Sequence, residues 1–345
     1  MVGHAKAIFL ILMPRHHTSL SISPSTPQLL YQDNLMAIGS CFAQNLGQQL
    51  QKRLYNLHIN PFGVLYNPSS ISNSLQFLLD DKKFEGQHLL PHRDAWHSLY
   101  HHSSFSGTHK IETLDRINKR LDQARQHLQQ TRCLFLTFGT AWVYTWKATG
   151  QIVSNCHHFP ATNFERHRLS VAAILRQLAP TLNALKERHN NLEVILTVSP
   201  VRHLKDGFVE NQISKATLVL AVQQLVEELN YCHYFPAYEL LLDDLRDYRY
   251  YDQDLVHPND LAIDYIWQAL EQRHLAPHEA SLRQQVAKLQ QAANHRPRQV
   301  DSAAHQAFLQ KQLFLLEKLA TQLPENTCNL LKAQFLVQVS KENNL

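Results

Sequence analysis

Between residues 34 and 275 the chain alternates short, almost unbroken apolar runs with longer stretches whose apolar residues recur every three or four positions. The runs at 35–39, 133–138, 193–199 and 234–238 carry few polar residues, as strands covered on both faces do. Helical stripes lie between them. Phe42, Leu46, Leu50 and Leu54 follow the first run; Leu114, Ile117, Leu121 and Ala124 precede the second. Ile174, Leu178, Leu182 and Leu185 precede the third, and Leu218, Val222, Leu225 and Leu229 the fourth. Alternation of this kind demands right-handed crossovers and a parallel sheet. The expected fold is α/β, a flavodoxin-like three-layer α/β/α sandwich, with a C-terminal helical extension.

Two regions break the alternation. Residues 56–112 hold Pro61, Pro68 and Pro91 with no sustained period, and residues 141–168 hold Trp142, Tyr144, Trp146 and Asn155-Cys156-His157-His158. Insertions this long in an α/β domain are expected to form binding loops. The expected organisation is a disordered or mis-started N-terminus over 1–28, a catalytic domain over 29–275 and a helical extension over 276–345. In the extension, Leu282, Val286, Leu289 and Ala293 line one helix that ends at Arg296-Pro297, and Leu309, Leu313, Leu316, Ala320 and Leu323 line a second. This tail packs on the core or supports self-association through its helices.

Composition narrows the partners. A formal charge of +4 gives no broad basic field, so no nucleic acid is expected. The 22 histidines make the charge climb below about pH 6.5, which predicts a pH-sensitive surface. Five cysteines at scattered spacings, with no CxxC pair, fit reduced thiols and a cytoplasmic location. The apolar stretch at residues 7–13 is too short to span a membrane, and export through a cryptic signal is the lesser reading.

The chemistry concentrates where strands end. Gly39-Ser40-Cys41 places a hydroxyl where the first strand gives way to a helix, the edge at which open parallel sheets bind ligands. Asp254 and His257 precede the helix that begins near Asn259. Serine, histidine and aspartate together activate a weak alcohol nucleophile, with His257 as base and Asp254 fixing its tautomer. Ser40 also reads as an ordinary helix N-cap. Cys41 is a rival nucleophile, because helix N-termini depress thiol pKa, and its amide is a candidate oxyanion donor.

Gly39-Ser40-Cys41-Phe42-Ala43 resembles the signature that names the GSCFA family. Asn60-Pro61-Phe62-Gly63, Trp96 to Ser106, Gly139-Thr140-Ala141-Trp142, Asn155-Cys156-His157, Ser199-Pro200-Val201-Arg202-His203 through Glu210-Asn211-Gln212, and Leu245-Arg246-Asp247-Tyr248-Arg249 running into His257-Pro258 look like further family blocks. The family is similar to SGNH, or GDSL-like, hydrolases. That resemblance implies the same sandwich fold, with Ser40 as nucleophile and Asp254 and His257 completing a triad. SGNH enzymes offer the oxyanion an asparagine after Gly-x-Asn; here Ala141 stands in that place. Thr140, Gly63 and Asn60 are therefore candidate oxyanion donors beside Cys41.

Arg202 and His203 follow the third predicted strand and read as an exposed basic loop or as an anion clamp. Trp142 and Asn155 are further substrate-binding candidates. His97, His101, His102, His157 and His158 lack a metal-binding register, so no metal or other cofactor is expected. The expected function is a serine-dependent ester hydrolase or acyltransferase acting on a small-molecule or glycan ester, carbohydrate O-acetyl groups among them. The alternative is a non-catalytic module that keeps the same cleft.

Overall fold

The structure is a computed structural model that describes residues 18–295 and 302–340. The chain runs through β1 (Asn34–Gly39), α1 (Cys41–Lys52), β2 (Asn56–Ile59) and α2 (Pro68–Leu79). A hairpin of β3 (Leu89–His92) and β4 (Ala95–Ser98) leads to α3 (Lys110–Leu128) and β5 (Thr131–Phe138). Next come β6 (Trp142–Trp146), β7 (Gln151–Val153), β8 (Phe164–Arg168), α4 (Val171–Arg188), β9 (Glu193–Val198), α5 (Phe208–Glu228) and β10 (Cys232–Tyr234). The helical turn α6 (Ala237–Glu239), then α7 (Asp260–His274), α8 (Ala280–Asn294), α9 (Ala303–Leu319) and α10 (Glu325–Ser340) complete it.

β10, β9, β5, β1 and β2 form one parallel sheet in that order. Renumbered among themselves the strands run 2-1-3-4-5, the doubly wound order whose switch point lies between the first and third strands. Here that point falls between β1 and β5. Successive residues of each strand point to opposite layers. Leu35, Ala37, Cys133, Phe135 and Ile195 pack with α1, α7 and the C-terminal helices. Met36, Ile38, Leu134, Leu136, Val194 and Leu196 pack with α2, α3, α4 and α5. This is a three-layer α/β/α sandwich.

Several expectations need correction. The fourth predicted strand, 234–238, lies earlier, at Cys232–Tyr234, because Pro236 cannot extend the ladder and Ala237 already opens a helical turn. The 56–112 region is not a loop. It supplies the edge strand β2 and the core helix α2, which buries Ile71, Leu75 and Leu78. Ser69, Ser70, Ser72 and Ser74 of α2 are buried as well. Ser72 Oγ donates to the Gln177 carbonyl of α4 at 3.0 Å and lies 3.0 Å from Thr181 Oγ1. Small hydroxyl residues therefore fill the α2–α4 seam, and their polarity hides the helix from a hydrophobicity pattern.

The 141–168 insertion folds into an antiparallel sheet in the order β7-β6-β8. Residues 18–28, expected to be disordered, are tied down. Ser25 and Leu29 amides donate to the Arg273 and His274 carbonyls at the end of α7, and the Leu20 amide to Asp244. Residues 1–17 and Arg296-Pro297 lie outside the described residues. The tail helices face the core: Leu282, Val286, Leu289, Leu309, Leu316, Leu331 and Phe335 share one cluster with Leu35, Leu57 and Trp267. Among the described residues no helix is long and apolar enough to cross a membrane.

Candidate active site

β1 must stop sharply for α1 to start at its end, and Gly39 makes that possible. Its φ is +152°, and a Cβ there would meet the Thr137 carbonyl oxygen of β5 at 2.3 Å. The Gly39 amide donates to Asn60 Oδ1 at 2.9 Å. Ser40 is the N-cap of α1 by position, but its side chain makes no capping bond. It is 1% exposed, and its hydroxyl has no hydrogen-bond partner.

The next residue makes the contact expected of Ser40. Cys41 Sγ lies 3.8 Å from His257 Nε2, and His257 Nδ1 lies 2.6 Å from Asp254 Oδ2. With Asp254 accepting a hydrogen bond from Nδ1–H, Nε2 is left as the acceptor facing sulfur. The loop that presents both residues is closed by the Asp252 amide donating to the His257 carbonyl at 2.8 Å and by the Tyr251–Pro258 bridge. Leu255 in its tip has φ +57°, a left-handed conformation that costs a branched residue about 1–2 kcal/mol. Asp254 Oδ1 accepts the Val256 and His257 amides, each at 2.9 Å. The His257 amide and then its ring, followed by the Val256 amide, hold the Asp254 carboxyl at about 2.

The environment of the thiol departs from expectation. Burial pushes the Cys41 pKa up, against the Phe42 amide and Lys215, which favour the thiolate. The helix terminus therefore does not win over desolvation, and the resting group is a thiol. Lys215 is fully buried, and its ammonium donates to the Gly139 carbonyl at 2.7 Å and the Ser199 carbonyl at 2.5 Å, at the ends of β5 and β9. Burial lowers its pKa to about 7. Asn211 and Ser214 stand on the same side of α5: Asn211 Oδ1 accepts the His203 amide at 2.9 Å, and Ser214 Oγ accepts the Ala141 amide at 2.8 Å. Three residues of one helix thus pin the loops that follow β5 and β9.

The candidate oxyanion donors separate cleanly. The Gly63 amide is spent on the Asn60 carbonyl at 2.8 Å, and Thr140 Oγ1 is engaged by Ser214 Oγ at 3.1 Å and the Trp142 amide at 3.1 Å. Neither is free. Asn60 Nδ2 is buried without a partner, while its Oδ1 braces Gly39. The sequence contains Asn60 in the family block after β2, not after β5 where Ala141 stands.

Of the substrate-binding candidates, His203 belongs at the site. A Cβ on Gly139 would meet His203 Nε2 at 3.3 Å and Ser40 Cβ at 3.4 Å, so the three crowd one point. Burial, then Lys215, His257 and Arg166, hold the His203 ring neutral, with its pKa lowered to about 4. It cannot serve as the cationic half of an anion clamp near neutral pH. Arg202 is half-buried in the same loop. Trp142 instead carries Arg166 over its ring at 4.0 Å, and Asn155 Oδ1 caps the His157 amide at 2.8 Å. Among the described residues no group of three or more His, Cys, Asp or Glu side chains is placed to hold a metal ion.

The GSCFA family pattern matches residues 34–270, and that of the GSCFA domain protein, C-terminal domain, matches residues 286–341. The chain belongs to the GSCFA family. In this GSCFA protein the signature segment supplies Gly39, Ser40 and Cys41 at the switch point, and the C-terminal match covers most of α8 together with α9 and α10. No curated protein matches the chain. A solved structure described as a proposed platelet activating factor from Streptococcus pneumonia is similar over 70% of this GSCFA chain and 83% of its own, at 13% identity and a TM-score of 0.37.

Lys215 and Tyr66 escaped the sequence reading. Lys215 carried a signal, a lysine seven positions before Val222 on the buried stripe of α5. Tyr66 did not; its carbonyl accepts the Gly139 and Thr140 amides, and its ring meets His203 edge-on at 5.6 Å.

Proposed function

We propose that this protein is a hydrolase or acyltransferase of small acyl esters that uses Cys41, rather than Ser40, as its nucleophile. The 3.8 Å approach of Cys41 Sγ to a histidine already oriented by a carboxylate carries the reading. His257 Nε2 takes the thiol proton as sulfur attacks the ester carbonyl carbon. The resulting oxyanion is met by Asn60 Nδ2 and by amides of the first turn of α1. Collapse breaks the C–O bond, the alcohol leaves with the proton from His257, and a thioester remains on Cys41. Water, or an acceptor hydroxyl, then gives its proton to His257 and attacks the thioester, releasing acid or transferring the acyl group and restoring the thiol. The resemblance to SGNH hydrolases read from the sequence supports acyl chemistry at this strand end, although it gives the nucleophile's place to Ser40 and not to Cys41.

Ser40 is the second assignment, favoured by its buried, unpartnered hydroxyl. Turnover of an aryl acetate by the Cys41→Ala, Ser40→Ala and His257→Ala variants separates the two. The thiol reading predicts loss in the first and third and retention of most activity in the second. Full activity in Cys41→Ala would overturn it. Absence of turnover in the native protein across an ester panel would leave the non-catalytic module as the better description.

A further inference from the structure

A groove of about 600 Å³ opens beside the proposed site, along the outer edge of the sheet. Gln44, Gln48 and Gln51 of α1 form one wall, the carboxyl end of β2 with Gly63 and Val64 the floor, and His102, Ser104, Phe105 and Arg120 the far side. Gln44 lies three positions after Cys41 on α1, so the groove starts on the helix side that bears the thiol. It runs into a second cavity of about 250 Å³ that shares Ser104, Phe105 and Arg120 and adds Arg116, Lys119 and Gln123. No carboxylate lines either cavity. Glu112, Asp115 and Asp122 of the same helix α3 lie outside both linings, and Asp122 is engaged by Lys83 at 2.9 Å.

Two residues of this lining have a buried nitrogen without a partner, the amide donor Asn60 Nδ2 and the ring nitrogen His58 Nε2. Asn60 is 7% exposed. Arg120 spends one N–H on the Ile59 carbonyl at 3.2 Å and keeps the rest of its fork. Arg116 braces the wall through the Phe105 and Ser106 carbonyls. Burial, then Arg120 and His127, lowers the His58 pKa to about 4, so the fixed charge comes from Arg116, Lys119 and Arg120. A cleft lined by one sign of charge concentrates ligands of the other.

We infer that this groove binds an anionic ligand, a small sugar or polyol ester bearing a carboxylate or phosphate, with the anion at Arg120 and Lys119 and the acyl group toward Cys41. The assignment of substrate class rests on the proposed acyl chemistry; binding of the anion does not.

The test titrates the full chain with glucuronate, glucose 6-phosphate and, as neutral counterpart, glucose, followed by calorimetry or NMR. The two acids distinguish a carboxylate from a phosphate preference. Expected is saturable binding of at least one anion, with glucose roughly tenfold weaker or worse, and a loss of about fivefold or more in Lys119→Gln and Arg120→Gln. Lys119 is exposed, so its variant keeps the test meaningful even if Arg120→Gln fails to fold. Lys318→Gln, on α9, leaves binding unchanged. Cys41→Ala retains anion binding while losing turnover; retained binding with a refuted thiol would sink the mechanism alone. Glucose binding as well as the anions, no binding of any of the three, or undiminished anion binding in Lys119→Gln would overturn the inference.

Discussion

Cys41 Sγ stands 3.8 Å from His257 Nε2, while the hydroxyl of Ser40, one residue earlier, is buried and unpartnered. One step along the chain at the β1–α1 junction decides which atom meets the base. At the N-cap Ser40 is extended, with ψ 177°, whereas Cys41 already has the first helical position.

Asn60 is asked to do two things, and they can be separated. Its Oδ1 braces the Gly39 amide and its Nδ2 is the proposed oxyanion donor. Asn60→Asp keeps the acceptor and removes the donor. It is expected to lower kcat by about 10²–10³ with little loss of melting temperature. Asn60→Ala is expected to destabilise as well, by roughly 1–3 kcal/mol, since it leaves a buried amide unpaired. Equal kcat in native and Asn60→Asp proteins would exclude Nδ2 from the reaction.

Gly39→Ala is expected to cost several kcal/mol, because the added methyl meets backbone of β5 and cannot be relieved by a rotamer change. Urea unfolding measures it. A loss under about 1 kcal/mol would mean that β1 and β5 separate easily at the switch point.

Acid sensitivity lies in the interior rather than on the surface. Burial lowers His58, His157, His203 and His274 to about 4 and His101 to about 3. Unfolded, each takes a proton near pH 6.5; folded, it does not until well below that. The unfolded state therefore binds more protons, and stability falls as pH drops from about 6.5 toward 4. Denaturant midpoints across that range check it. A flat profile would mean that these rings are solvated.

Lys215 has the opposite range. Its pKa of about 7, against 10.5 unfolded, means that the unfolded chain holds the proton over that interval and stability from this residue rises with pH. Lys215→Met is expected to flatten that rise. Denaturant midpoints of both proteins between about pH 7 and 10 give the readout, and an equal rise in the variant would deny that Lys215 is its source.

The sheet and its helices were legible because apolar period dominates wherever both strand faces are covered. Ile38, Leu134 and Leu196 could hardly be elsewhere. α2 was hidden by Ser69, Ser70, Ser72 and Ser74, which bury through hydrogen bonds instead of apolar contact: Ser69 and Ser72 to α4, Ser70 to the Val153 carbonyl of β7 and Ser74 to the Ile71 carbonyl of its own helix. β2, at the edge, has only four residues and a histidine among them. At the site, residue types at the strand ends and the family resemblance pointed to Asp254, His257 and Ser40, with Cys41 as rival. Which neighbour faces His257 was not legible, because that depends on where the strand stops and the helix starts. Lys215 was marked as a lysine on the buried stripe of α5, whereas the position of Arg120 depends on tertiary packing that no local pattern encodes.

Trapping the acyl-enzyme tests the central claim most directly. The protein is mixed with an aryl acetate, quenched in acid within the first turnover and mapped by mass spectrometry, with neutral hydroxylamine distinguishing a thioester from an oxygen ester. The account predicts one hydroxylamine-labile acetyl group on Cys41, absent from Cys41→Ala and present in Ser40→Ala. A hydroxylamine-stable acetyl group on Ser40, or one that survives in Cys41→Ala, would contradict it.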